Sequence, residues 1–149
     1  AYTSGGQGLV STADDYMTFA RMLLHGGQVN GVRILKPSTI RLMTTDHLTA
    51  AQKQIPTLVA DWRAEGFGLG VSVIRDAKVQ APGGRVLGSV GSFGWPGLFG
   101  GWWQADPARD MILLWLPEVL PAPPSQVGQM PRLPGFQGWV DLQRRAYEI

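Results

Sequence analysis

The sequence contains no cysteine. Disulfide scaffolds, thiol nucleophiles and zinc–thiolate sites are therefore excluded, although this says nothing firm about compartment. Histidine is almost as scarce. His25 and His47 stand alone, outside any HxH or HExxH pattern that would offer metal ligands. Their places near helix ends suit a cation at the negative pole of the helix dipole. Charge is sparse too. The net balance of +2 and the scattered basic residues, Arg144-Arg145 apart, exclude a nucleic-acid footprint. No apolar run is long enough to cross a bilayer as a helix; the longest, Met111 to Leu116, is of strand length. A Gly-x-Ser-x-Gly nucleophile elbow and a P-loop are missing, and no serine is followed three residues later by lysine. The glycines at 66, 68 and 70 do not fit the dinucleotide fingerprint. This chain thus carries no self-contained catalytic set, and neither a metal nor a cofactor is expected. Its opening AYTSGGQGL lacks a basic segment followed by an apolar one, so no signal peptide is expected, and the absent initiator Met points to a piece of something longer.

What the chain does have is concentrated between Gly88 and Asp110, GSVGSFGWPGLFGGWWQADPARD, its densest run of glycine and aromatic residues. Glycine is costly inside a strand, so its recurrence there suggests bulges or close approach of a backbone or ligand. Two readings follow. Either this is a strand whose exposed edge lines a site, with Trp95-Pro96-Gly97 at its centre, or it is a glycine-kinked strand packed on an aromatic core.

The remaining chain parses into an α+β pattern. Ser11 reads as an N-cap, with Asp14 closing a box-like pair and Asp14-Asp15 at the positive end of the dipole. Tyr16, Phe19, Ala20, Leu23 and Leu24 recur with helical spacing, and Gly26-Gly27 ends that helix. Val29-Asn30-Gly31-Val32 is a tight turn. Pro37 opens a second, shorter helix that fades near His47. Residues 49–65 read as a surface loop. Gly66 to Ile74 alternates small or polar with apolar residues and reads as one strand, with a glycine face on which something packs closely. Met111 to Leu116 is a strand covered on both faces, joined to the strand at Phe99–Gln104 by a turn over Asp106 to Asp110. Residues 117–135 hold much of the proline in an irregular excursion. A last helix, about Phe136 to Tyr147, carries Phe136, Trp139, Val140 and Leu142 on a face that would cover the sheet.

In that order, GGQGLVSTADDYMTFARMLLHGG, RILKPSTIRLMTTDHL, GFGLGVSV and GSFGWPGLFGGWWQADPARDMILLWLPE resemble consecutive segments of the serine beta-lactamase-related hydrolases. These comprise class C beta-lactamases, penicillin-binding-protein-like proteins and family VIII carboxylesterases. The resemblance runs from about Ser4 to Glu118. It implies the C-terminal portion of a beta-lactamase/transpeptidase-like fold, with antiparallel sheet strands flanked by helices. The single domain part would span 1–149: a helical segment over 1–50, sheet strands over 66–118, a terminal helix over 136–147, and the N-terminal catalytic half absent.

The family pattern comprises Ser-x-x-Lys as nucleophile and base, a tyrosine motif, and a third motif on a sheet strand. Trp95-Pro96-Gly97 falls on the third motif, which is Trp-Gly-Gly in esterase-like members. The first two motifs are not in this chain; Tyr2-Thr3-Ser4 echoes the tyrosine motif only superficially. By this resemblance Leu98 supplies one backbone oxyanion donor, Gly97 lets the acyl group lie against the backbone, and Trp95, Pro96 and Gly6 border the substrate. Pro96 departs from the pattern by removing an N–H and any side-chain hydroxyl. Trp95 replaces the lysine that holds an anionic group in lactam-binding relatives, which favours small neutral acyl esters; its alternative role is packing beside Trp102 and Trp103. The expected function is therefore a segment of a serine hydrolase working through an acyl-enzyme. The alternatives are a parent with beta-lactamase or D-amino peptidase activity, a non-catalytic binding or scaffold module, or a standalone domain with an unrelated ligand. The expected partners are the missing half carrying Ser-x-x-Lys, or a second copy through an exposed sheet edge. This chain alone is expected to be inactive.

Overall fold

The computed structural model describes residues 8–55, 57, 60–79, 88–97, 100–117 and 134–148. Helix α1 (Ala13–Leu24) is capped by Thr12, one residue later than Ser11. Thr12 stands in extended geometry, its hydroxyl oxygen accepts the Asp15 N–H at 3.1 Å, and the hydroxyl donates to the Asp15 carboxylate at 2.9 Å. Ala20, Met22 and Leu23 are buried, whereas Phe19 stays 45% exposed at the margin of the apolar stripe. His25 caps the C-terminal end, and the chain reverses through Gly26-Gly27. Strands β1 (Gln28–Val29) and β2 (Val32–Arg33) then form a hairpin. Asn30 and Gly31 both adopt positive φ, 50° and 77°, as a type I′ turn requires. Helix α2 (Pro37–Met43) starts at its proline and stops short of His47. The loop expected over 49–65 contains a 3-10 turn at Gln52–Gln54, and its last residue belongs to a strand.

Among the described residues five antiparallel strands form the main sheet in chain order: β3 (Glu65–Phe67), β4 (Ser72–Ile74), β5 (Phe93–Pro96), β6 (Trp102–Asp106) and β7 (Met111–Trp115). The single strand expected from Gly66 to Ile74 is two strands that fold back on each other, with Glu65 opposite Ile74. The Gly68 N–H donates to Val71 O at 2.8 Å, and Gly70 takes φ +86° to complete the reversal. The glycine face does meet a close neighbour, because a Cβ on Gly68 would fall 1.8 Å from the Met43 carbonyl oxygen.

Alternation along β6 sends Trp103 and Ala105 to one side and Trp102, Gln104 and Asp106 to the other. The first side packs Val73, Phe93, Trp103 and Ala105 against Ala20 and Leu23 of α1. On the second, Trp102 stacks on Trp139 of α3 (Pro134–Tyr147) at 5.2 Å and 16°. The fold class is therefore α+β, an antiparallel sheet between helices. The last helix also brings a buried polar chain. Gln143 Nε2 donates to Gln104 Oε1 (2.6 Å), Gln104 Nε2 to the Tyr147 hydroxyl (3.1 Å), and that hydroxyl to Asp106 Oδ2 (2.7 Å). Asp106 also accepts the Ser89 and Ala108 N–H groups at 3.1 and 3.0 Å. It is therefore more than the turn residue expected from sequence. Burial alone would raise its pKa, but the hydrogen bonds from Tyr147 and Ser89 outweigh that and hold the carboxyl below its ordinary value. Burial, with the Asp106 carboxylate adding to it, pushes the Tyr147 phenol well up.

Candidate functional site

Three of the residues singled out in sequence, Trp95, Pro96 and Gly97, lie together where β5 runs out of the sheet. Leu98 and Gly6 fall outside the described residues. The register settles what this strand end presents. Strand β4 pairs with β5 only at Ser72–Gly94 and Val73–Phe93, whereas β6 pairs with β5 as far as Pro96–Trp102. The Gly97 N–H donates to Gly101 O at 2.7 Å, so the odd-numbered amides of β5 point at β6. The nitrogen and carbonyl of Pro96 therefore point the other way, into the flank that β4 has already left. A proline, with no N–H to donate, fits a strand flank that has no hydrogen-bonded neighbour. Among the described residues that flank is unpaired only beyond Gly94; nearer its start, β5 is an interior strand with a buried Phe93.

The two glycines of this stretch have different reasons to be glycine. At Gly94 a Cβ would lie 2.0 Å from the Trp103 carbonyl oxygen, so the sheet itself demands glycine. At Gly97 the nearest atom to such a Cβ is 3.8 Å away, the residue is exposed, and φ is not left-handed. Packing among the described residues does not explain that glycine.

Trp95 is half-buried and shares the sheet with Trp102 and Trp103. Its ring partner among the described residues, however, is Phe67, edge to face at 4.8 Å and 80°. Phe67 in turn meets Trp62 at 6.3 Å and 82°. The sequence did not single out either residue. Phe67 hid in a segment misread as one strand, and Trp62 in a segment read as loop. Asp46 fixes the strand end that carries Phe67. Its carboxylate accepts the Phe67 N–H at 3.2 Å and the Leu48 N–H at 3.0 Å, and it pairs with Lys53 and Arg75. Burial works against its ionisation, but Lys53 and these backbone donors keep its pKa below the ordinary value. The His47 N–H completes the clamp by donating to Phe67 O at 2.9 Å.

The histidines have structural partners. His25 Nε2 lies 3.1 Å from Asp110 Oδ1 and ties the end of α1 to the β6–β7 turn; His47 Nε2 lies 2.8 Å from Leu42 O. No group of three or more potential metal-ligating side chains occurs among the described residues. Chemically, the region offers a backbone edge and aromatic ring surface.

A beta-lactamase family model matches residues 1–128. The chain belongs to the beta-lactamase family. Two curated relatives from Mycobacterium tuberculosis, Protein Rv1367c and Uncharacterized protein MT1414, are each 50% identical over 122 residues, which is 81% of this chain and 30% of theirs. The chain thus spans under a third of the length of these family members. Among solved structures, EstCE1, a hydrolase with promiscuous acyltransferase activity, aligns with a TM-score of 0.50 and 28% identity over 68% of this chain and 23% of that one. Simvastatin synthase (LovD) from Aspergillus terreus aligns with a TM-score of 0.54 over 84% of this chain and 32% of its own; at 18% identity it speaks for the fold alone. The antiparallel sheet between helices is thus a beta-lactamase-family arrangement, and the family is one of hydrolases.

Proposed function

We propose that this chain forms the third-motif wall of a serine hydrolase that acts on neutral acyl esters through an acyl-enzyme. The observation that carries the reading is the flank of β5 that β4 leaves unpaired at Trp95-Pro96-Gly97, beside a glycine that no packing among the described residues requires. The reaction builds negative charge on the ester carbonyl oxygen. A backbone N–H held in a water-poor cleft stabilises that charge, and removing one such donor typically costs about 10²–10³ in kcat. On the family pattern the Leu98 amide is that donor, with Trp95, Pro96 and Gly6 against the substrate. The nucleophile and its base, a Ser-x-x-Lys pair, belong to sequence outside this chain, which by itself is inactive. Trp95 brings an apolar face and one N–H where a lysine would bring a charge, and that favours a neutral ester over an anionic lactam or peptide. EstCE1, a hydrolase with acyltransferase activity, is similar enough to support ester-type acyl transfer.

The test is hydrolysis of p-nitrophenyl acetate by the full natural polypeptide containing this chain. Leu98→Pro deletes the amide and should lower kcat about 10²–10³-fold. Leu98→Ala keeps the amide and should retain most of the activity. Equal losses in the two variants would refute the donor role. Serine-type turnover by residues 1–149 alone would refute the claim that the nucleophile lies elsewhere.

A further inference from the structure

We propose that Trp62 and Phe67, together with Trp95, form a continuous aromatic wall that binds the acyl chain of the substrate, selecting straight, uncharged acyl groups of medium length. This assignment rests on the acyl-ester reading of Trp95–Gly97 given above.

The wall begins at the reacting end. Trp95 sits at the point where β5 loses its β4 neighbour, and its ring meets Phe67 at 4.8 Å. Phe67 passes the row on to Trp62 at 6.3 Å. Both steps are edge to face, at 80° and 82°. All three rings are half-buried, so each is held yet still presents surface. The polar atom of Trp62 is already engaged, donating to Ile55 O at 3.1 Å, so the ring surface it leaves exposed is apolar. Beyond Trp62 the row opens into a surface cleft bordered by Ile55 and Ala60 and by the polar Lys53, Gln54, Asp61 and Arg63. Ile55 itself is 62% exposed at that end.

Rigidity and charge point the same way. The Asp46 carboxylate and the His47 amide hold both backbone groups of Phe67, so the middle ring is a fixed platform. The charged groups nearby are paired with each other: Lys53 and Arg75 with Asp46, and Arg63 with Asp61. A carboxylate on the distal end of the acyl chain would meet cations that already have partners. The two ring steps put the far end of the row at most about 11 Å from the Trp95 ring, and an extended chain advances roughly 1.3 Å per methylene, so the row accommodates up to about eight carbons. Burying each methylene against the wall should improve binding about two- to fourfold, the lower figure applying where one face stays wet.

The experiment uses the full natural polypeptide containing this chain and two readouts. In the first, kcat/KM is measured for p-nitrophenyl esters from acetate to decanoate, in wild type and in Phe67→Ala. Wild type should gain about two- to fourfold per methylene to about eight carbons and then level off; Phe67→Ala should flatten that slope. In the second, uncharged methyl ketones from butanone to decanone are titrated into protein labelled with 5-fluorotryptophan, with the Trp62 resonance assigned through Trp62→Phe. The Trp62 and Trp95 resonances should shift together, at concentrations that fall with chain length. Should Phe67→Ala fail to fold, Phe67→Leu and Trp62→Ala serve the same comparison. A chain-length slope identical in wild type and variant, or a Trp62 resonance unmoved by every ketone, overturns the wall even if esters are hydrolysed. A ketone series that moves both resonances while no ester is turned over supports the wall and sinks the hydrolase reading instead.

Discussion

Asp106 is the residue whose loss should reveal how the last helix is held. It is 1% exposed and accepts hydrogen bonds from the Tyr147 hydroxyl and from the Ser89 and Ala108 amides, among others. Hydrogen bonds to a charged group contribute about 1.5–3 kcal/mol each, and a buried donor left without an acceptor costs about 1–3 kcal/mol. Asp106→Ala strands the two amides and frees the Tyr147 hydroxyl, and should destabilise by about 3–5 kcal/mol. Asp106→Asn keeps the shape and one acceptor and should cost about 1–2 kcal/mol. Tyr147→Phe should cost about 1.5–3 kcal/mol, because the carboxylate loses its shortest partner. Urea melts of the three variants and of Asp106→Asn/Tyr147→Phe close a double-mutant cycle, and the coupling should exceed about 1 kcal/mol. The pH dependence has a definite sign. The folded-state pKa of Asp106 is depressed, so its contribution is complete above the ordinary aspartate range and fades as pH falls through the lower, folded value. The folded-state pKa of Tyr147 is raised, so its contribution holds up to the ordinary tyrosine range and is lost at more alkaline pH. Asp106→Asn should remove much of the acid limb. An Asp106→Asn melt that matches wild type at neutral pH and still shows the full acid limb would refute this account.

Gly94→Ala should destabilise by about 3 kcal/mol or more, since its new methyl collides with the Trp103 carbonyl, whereas Gly97→Ala should stay within about 0.5 kcal/mol of wild type. If Gly97 lies against the acyl group, Gly97→Ala should nonetheless lower kcat/KM in the full polypeptide, a split that thermal melts and ester assays together would expose. Trp139→Ala removes a fully buried ring stacked on Trp102 and should cost about 3–5 kcal/mol by urea unfolding. Thr12→Ala should cost about 1 kcal/mol, and Ser11→Ala much less, because Thr12 is the residue that caps α1.

The elements that could be read from sequence were those whose cause is local. The stripe of α1, the Asn30-Gly31 turn, Pro37 at a helix start and the apolar run of β7 each follow from a few adjacent residues. The reversal at Gly68–Gly70 was missed because the alternation of Gly66 to Ile74 continues through it, so a hairpin imitates a strand. The cap was misplaced by one residue because Ser11–Asp14 and Thr12–Asp15 are the same pattern shifted, and only backbone geometry separates them. Within the candidate site, Trp95-Pro96-Gly97 stood out because glycine, proline and tryptophan are conspicuous together. Phe67 and Trp62 did not, since their contact with Trp95 depends on which strands become neighbours. Asp106 looked complete as a turn residue; its partner Tyr147 lies 41 positions away.

Pro96 has one further consequence. An edge strand with free amides invites a foreign strand to add to it, by aggregation or by exchange between copies. On the flank that β4 leaves open, the β5 residue whose nitrogen points outward has no hydrogen to give. The flank beside Trp95 is thereby kept from zipping shut by a deletion of chemistry. A mutation that restored that hydrogen, such as Pro96→Thr, would convert the flank into an adhesive edge and bring the protein nearer to self-assembly.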